Sequence, residues 1–476
     1  MLSARNINNQ KIVFDEFRWI SALDFESENI RTKIAAGDVL LTIVGTIGRT
    51  AVVPDRCVPF ALQRSVAVLK PAGVDSRYLA YAIDSPLQQQ WLIDNAKGTA
   101  QKGVYLGVLS ASNIPFAPAN EQTRIVDKLE ELLSDLDAGV AELKTAQKKL
   151  AQYRQSLLKA AVEGRLTEDW RARNSNNADS EESGSKLLAR ILRERRARWE
   201  AKQLAKFEGQ GKAPPKGWQN RYPAPLRPDS HVMPSLPQDW TWATLDQLTE
   251  FITSGSRGWA DYYADQGATF IRSQNINRDW LDLSDIAFVN PPENGEGLRT
   301  KVRRGDLLLT ITGANVGKTA AVAIELNNAY VSQHVALIRP LESRLTHFLH
   351  LFLTAVAGGR GQLNKEAYGA GKPGLNLQQV AAVSIPLPSA AELTAVMDEV
   401  NRQLLAASAQ EDSVANALRQ SAAQRKNILQ SAFSGQLVLQ DPQDEPASVL
   451  LARIRDERAA RETTNARSRL KKKAVA

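Results

Sequence analysis

The chain contains itself twice, and no other feature of the sequence restricts its fold as much. Residues 31–43 read RTKIAAGDVLLTI and residues 299–311 read RTKVRRGDLLLTI, nine of thirteen positions identical at an offset of 268. Unrelated segments of this length would share about one. The correspondence continues through Gly45-Thr46-Ile47-Gly48-Arg49-Thr50 against Gly313-Ala314-Asn315-Val316-Gly317-Lys318-Thr319, with one residue inserted. Ser65–Pro71 matches His334–Pro340, and Asn113-Ile114-Pro115 matches Ser384-Ile385-Pro386. A chain built this way folds as two related globular units, each with its own core.

A segment of another kind succeeds each globular copy. After Pro118 and Pro388 the glycine and proline punctuation stops and apolar residues recur every three or four positions. Ile125, Leu129, Leu132, Leu136, Val140, Leu143, Leu150 and Leu157 form one stripe; Leu393, Val396, Val400, Leu404, Val414, Leu418 and Ile428 form the other. Stripes of this width belong to amphipathic, coiled-coil-like helices, about forty residues and roughly 60 Å long. Both end alike, Ala161-Val162-Glu163-Gly164-Arg165-Leu166 and Ala432-Phe433-Ser434-Gly435-Gln436-Leu437, with a glycine placed to stop the helix. A third repeated piece, Leu187–Arg195 against Leu450–Arg458, is a basic helix, leading to the linker Lys212–Gly217 in one copy and to a basic tail in the other.

The organisation read from these patterns is a globular domain over 1–118, a long helix over 119–170, a basic helix and Pro/Gly linker over 171–235, a second globular domain over 236–388, a second long helix over 389–440 and a basic helix and tail over 441–476. The fold class is α+β: two α/β-type domains separated by two long antiparallel coiled-coil helices in a pseudo-two-fold repeat. One asymmetry stands out. The second domain opens with Leu236-Pro237-Gln238-Asp239-Trp240-Thr241-Trp242 and runs about 34 residues before Phe270, which aligns with Met1. The first domain is expected to lack this opening, through an upstream start or a truncation, and a missing edge element would leave core and sheet edge open.

Composition narrows the function. Net charge is +8 and the pI about 9.4, a balance that favours a polyanionic partner. Cys57 is the single cysteine, so no intramolecular disulfide forms. No apolar run reaches the roughly 18 residues of a membrane span, and Met1–Asn6 has no signal-peptide apolar core. The expectation is a cytoplasmic protein without a membrane partner.

The paired Gly37-Asp38 and Gly305-Asp306 stretches, the Gly45/Gly48 and Gly313/Gly317 turns, the Ile114 and Ile385 exits, the Leu236–Trp242 opening and the helices ending at Gly164 and Gly435 together resemble the specificity subunit of type I restriction–modification systems. The resemblance covers nearly the whole chain. It implies two target-recognition domains, each reading half of a split site in double-stranded DNA, and helices that measure the unread spacer and dock two methyltransferase subunits. A motor–nuclease subunit joins them for cleavage. It implies no catalytic residue and no cofactor on this chain; S-adenosylmethionine, ATP and Mg²⁺ belong to the partners. A ruler of roughly 60 Å is under two turns of duplex at about 34–36 Å each.

Candidate DNA contacts are set by residue chemistry. Arg, Lys, Asn and Gln read base edges and phosphates. Arg272, Gln274 and Asn277 come after a strand signal, with Arg5 and Asn8 as first-copy counterparts; Asn275 fits turn chemistry better. The glycine loops present Asn315 and Lys318 in one copy and Arg49 in the other, though a plain hairpin turn explains them equally well. The basic, glycine-rich stretches offer Arg360, Lys365 and Lys372, with Lys97 and Lys102 as counterparts.

Three other motifs fail on spacing or chemistry. The 313–319 loop has three residues between its glycines where a P-loop needs four, and its first-copy version has two. Asn290-Pro291-Pro292-Glu293 has glutamate where an adenine methyltransferase would stack an aromatic on the flipped base. His231, His334, His347 and His350 have no cysteine or acidic cluster to complete a metal site. The competing readings are a degenerate or orphan specificity protein with an incomplete first domain, an ATP-hydrolysing enzyme, and a coiled-coil protein-binding scaffold.

Overall fold

A computed structural model describes residues 1–99, 101–174, 182–229, 233–255, 258–277, 279–291, 299–369 and 373–473. The chain divides into two compact units, residues 1–146 with 413–476, and residues 147–412. Each unit therefore takes part of each long helix, Ala119–Val162 and Ala390–Phe433, both 44 residues.

Unit 1 opens with a two-residue-turn hairpin, β1 Ile7–Asn8 and β2 Lys11–Ile12. Its main sheet is made of β3 Val39–Thr42, β4 Thr50–Val52 and β5 Val66–Leu69, antiparallel in the order β4-β3-β5. Every residue of β3 is buried, which is why the sequence shows an unbroken apolar run rather than alternation. The side chains still alternate. Leu40 packs with Leu2, Ile7, Ala51 and Leu62 on one face, while Val39 and Leu41 meet Ala80, Ile83 and Leu92 on the other.

Unit 2 repeats this plan with additions. It begins with β6 Thr241–Thr244 and β7 Thr249–Ser254. A mixed sheet is formed by β8 Tyr263–Ala264, β9 Ala268–Ile271, β12 Ala287–Val289 and β15 Ala329–Val331. Between β9 and β12 the hairpin of β10 Ile276–Asn277 and β11 Trp280–Leu281 reproduces β1–β2. The central sheet takes β13 Leu307–Thr310, β14 Thr319–Ala321 and β16 Val335–Pro340, and β7 joins its edge in the order β14-β13-β16-β7. The last strand, β17 Ser384–Leu387, pairs with β6. The repeated Gly-Asp has the same task in both units. Asp306 accepts from the Arg303 amide and pairs with Arg339, as Asp38 accepts from the Ala35 amide and pairs with Lys70. Both aspartates are buried turn braces.

The helix portions pack antiparallel within each unit. In unit 1 Ile125, Val126, Leu129 and Leu133 bury against Leu429 and Ala432, and Arg425 pairs with Asp137. In unit 2 Ala161 and Val162 share a core with Leu393, Val396 and Val400, and Arg154 pairs with Glu411. Leu133, four residues after Leu129, takes the buried place; Leu132 is half-buried. Both helices stop in the same way. Gly164 and Gly435 have φ of 72° and 75°. The next amide reaches back to the third-last helical carbonyl, Arg165 to Ala160 and Gln436 to Ser431, each at 2.9 Å.

The stretch 171–235 is more than basic helix and linker. Its helix runs Gly184–Gly209 and buries Leu187 and Ile191 completely in the core of unit 2. Glu392, also buried, gathers Trp240 Nε1 at 2.7 Å, Thr167 Oγ1 and the Arg171 guanidinium around one carboxylate. Among the described residues no helix is long and apolar enough to cross a membrane.

Candidate nucleic-acid interface

The hairpins form the centre of the candidate surface in each unit. In unit 1 the turn residues Asn9 and Gln10 both have positive φ, 46° and 58°, the type I′ geometry that matches strand twist. The turn is anchored from below, where Gln10 Nε2 donates to Asp84 Oδ2 at 2.7 Å and Thr50 Oγ1 donates to Asp84 Oδ1 at 2.9 Å. Burial pushes the Asp84 carboxyl up to about 6. Asn6 locks the hairpin base, donating to the Val13 and Glu16 carbonyls. Its counterpart Asn275 does the same to Asp282 and Asp285. The Asn275 side-chain amide is thus engaged within the turn.

Against the exposed side of each hairpin lies the glycine loop. Arg49 Nη1 donates to Asn8 Oδ1 at 2.6 Å; Lys318 Nζ lies 3.4 Å from Asn277 Oδ1. The same cation–amide contact therefore recurs in both copies, on residues singled out from sequence. Asn315 Nδ2 donates to the Ser273 carbonyl at 3.3 Å, tying loop to hairpin approach. The loop runs into strand β14, whereas a phosphate-cradling P-loop opens a helix.

A third segment joins this face. In unit 1 Lys97 and Gly103 exchange backbone hydrogen bonds at 2.9 Å, and the Gly45 amide donates to the Lys102 carbonyl. In unit 2 Tyr368 and Gly374 exchange the equivalent bonds, and the Gly313 amide donates to Pro373. Lys97 and Lys102 are exposed there; Lys372 lies outside the described residues. Arg5, Lys97, Lys102 and Lys365 are exposed and make no ion pair among the described residues.

Not every candidate cation points outward. Arg360 is only 15% exposed at its side chain and pairs with Asp279 at 2.5 Å, so it braces the hairpin turn. Arg272 pairs with Asp285 at 3.3 Å, and Gln274 donates to the same carboxylate at 2.7 Å. Asp279 was not legible as a site residue, because its role depends on Arg360 and the Thr319 amide arriving from far along the chain. His350 belongs to the same brace. Its Nε2 lies 3.1 Å and 3.0 Å from the carbonyls of Asp279 and Thr319, and burial lowers its pKa. Asn290 and Pro291 are described, but Pro292, Glu293 and His231 fall outside the described residues. Among the described residues no group of three or more His, Cys, Asp or Glu could hold a metal.

Each unit thus presents a braced hairpin with an amide side chain and a cation side by side. The family described as type I restriction modification DNA specificity domain matches residues 3–146 and 237–406, and the chain belongs to it. It is similar to the EcoKI specificity subunit of Escherichia coli strain K12, 22% identical over 97% of this chain and 89% of that one. The E. coli EcoDI specificity subunit is 22% identical over 84% and 80%. The E. coli EcoBI specificity subunit is 31% identical over 194 residues, 40% of each chain. A solved chain from a type I restriction–modification system shares the fold, with a TM-score of 0.57 and 17% identity over 85% of this chain and 83% of that chain. The chain is a specificity subunit, and catalysis in such systems resides on other subunits.

Proposed function

We propose that each unit reads one half of a bipartite target in double-stranded DNA. The observation that carries this is the recurrence of one contact, Arg49 on Asn8 and Lys318 on Asn277, at the exposed side of a braced hairpin in both copies. A two-stranded ribbon fits the major groove, amide side chains suit adenine, and Arg or Lys suits guanine or phosphate. Arg5, Gln274, Asn315, Lys97, Lys102 and Lys365 would supply the surrounding base and phosphate contacts, with Arg272 and Arg360 acting as braces.

The two 44-residue helices, about 66 Å each at 1.5 Å per residue, would fix the spacer and carry two methyltransferase subunits. A motor–nuclease subunit would join that complex. S-adenosylmethionine, ATP and Mg²⁺ would bind on those partners and not on this chain.

The test is co-expression with the neighbouring methyltransferase subunit, then single-molecule mapping of methylated adenines. The proposal expects methylation at a split motif with a fixed gap. Arg49→Ala should relax or abolish reading of one half and Lys318→Ala the other. Methylation at a single undivided motif, or a soluble complex that methylates nothing, would refute the proposal.

A further inference from the structure

The two hairpins agree in kind at three of their four strand positions and differ at the fourth. Ile7 and Ile276 open the first strands and are 0% exposed; Ile12 and Leu281 face them from the second strands, partly buried against the same cores. Side chains alternate along a strand, so the other pair in each hairpin points away from the core. There Asn8 stands opposite Lys11 and Asn277 opposite Trp280, all four exposed. The amide is kept and meets a cation in both copies, Arg49 or Lys318. A reader built from these shared groups alone would accept the same bases twice. The residue opposite the amide is where the copies part, an ammonium in one and an indole in the other.

Trp280 is 53% exposed. A single exposed aromatic is ordinary on a protein surface, and its place is what separates this one from the rest. Its indole has no ring partner and no hydrogen bond among the described residues. Trp240 and Trp242, in contrast, donate their N–H groups to Glu392 and the Pro234 carbonyl, and Trp199, Trp218 and Trp259 lie against other rings. The backbone just before Trp280 is fixed from three sides. The Asp279 carboxylate accepts from Arg360 at 2.5 Å and from the Thr319 amide at 3.1 Å, and its carbonyl lies 3.1 Å from His350 Nε2. An indole held outward on a braced turn loses little freedom when it meets a partner.

We propose that Trp280 is a base-reading residue of unit 2: its ring covers the 5-methyl group of a thymine in the major groove, within two base pairs of the base met by Asn277. This rests on the reading of unit 2 as a half-site reader. The thymine methyl is the one methyl group on the major-groove edge, and apolar side chains contact it. Residues directly opposite each other on a ribbon have Cβ atoms about 4.5–5.5 Å apart, which is one to two base-pair steps of about 3.4 Å. Lys11, in the same place on unit 1, offers an ammonium that suits guanine or phosphate instead. The methyl contact therefore belongs to one half of the target only.

The test uses the full chain in its complex with the methyltransferase subunits, and duplexes carrying the mapped methylation motif. In the half whose reading Lys318→Ala relaxes, each thymine is replaced in turn by deoxyuridine, which lacks only the 5-methyl group. The parent should bind one of these duplexes about fourfold more weakly in anisotropy titrations at fixed salt, the effect of burying one methyl group. Trp280→Ala, and Trp280→Lys with the side chain that unit 1 carries there, should bind the thymine and deoxyuridine duplexes equally, whereas Trp280→Phe should keep the preference. The readout is a ratio within one variant, so a general loss of affinity cancels. A half-site without thymine, a parent indifferent to every deoxyuridine (as an indole packed on a partner protein would give), or the same preference in Trp280→Ala and Trp280→Lys would each overturn the inference. A parent with no preference for the mapped motif over a scrambled duplex would overturn the half-site reading itself, and this inference with it.

Discussion

Replacing Asp84 by asparagine should make the stability of unit 1 depend on pH in a different way from the parent chain. Asp84 ends the helix Ser76–Asp84 beneath the hairpin, holding Gln10 and Thr50. Burial raises its pKa from the ordinary 3.8 to about 6, against the two hydrogen bonds and Arg425, which pull it down. A raised folded-state pKa means that the folded chain holds this proton more tightly than the unfolded chain. The stability it confers is full below about pH 4 and is lost as pH rises through about 6. A shift of about two units corresponds to about 3 kcal/mol.

Asparagine has no charge to bury. Between pH 4 and pH 7.5 the stability difference between Asp84→Asn and the parent should therefore move by about 3 kcal/mol in favour of the variant. The amide also gives up one acceptor, which lowers variant stability by about 1 kcal/mol at every pH and leaves the slope alone. Urea unfolding read by hydrogen exchange of the β3 and β4 amides would track unit 1 apart from unit 2. A difference flat with pH to within about 0.5 kcal/mol would refute the reasoning, since it would mean that the Asp84 charge is solvated in the folded chain.

The geometry sets other outcomes. Lys318→Ala removes the cation beside Asn277 and should weaken binding to its half-site by about 1–2 kcal/mol in a titration at fixed salt, with a shallower salt dependence; unchanged affinity would remove that loop from the interface. Glu392→Ala leaves Arg171 and the Trp240 indole facing each other without their shared acceptor, and denaturant melts should show unit 2 weakened by about 3–5 kcal/mol. Gly435→Ala should cost about 1 kcal/mol for its left-handed backbone alone. Gly164→Ala adds a collision with Pro237, and its melt should show a loss of about 2–4 kcal/mol.

The repeat, the two long helices and their stops are legible before any folding is known, because they are written in local periodicity. The Gly164 and Gly435 endings, the buried β3 and β13 runs and the turn role of Asn275 each depend on residues a few positions apart. The cation–amide pairs are nominated in the same way, since the Asn8 and Asn277 hairpins and the Arg49 and Lys318 loops recur at matching places. Which candidates face outward depends instead on the folded chain. Arg360 and Lys318 have the same formal charge, but Asp279, 81 residues before Arg360, turns the first inward. The Asp84 brace under Gln10 joins positions 74 residues apart, and no periodicity marks such a pair. The pairing of β7 with β16 likewise emerges only in the folded unit, because strand pairing is a long-range property that the local sequence of neither strand records.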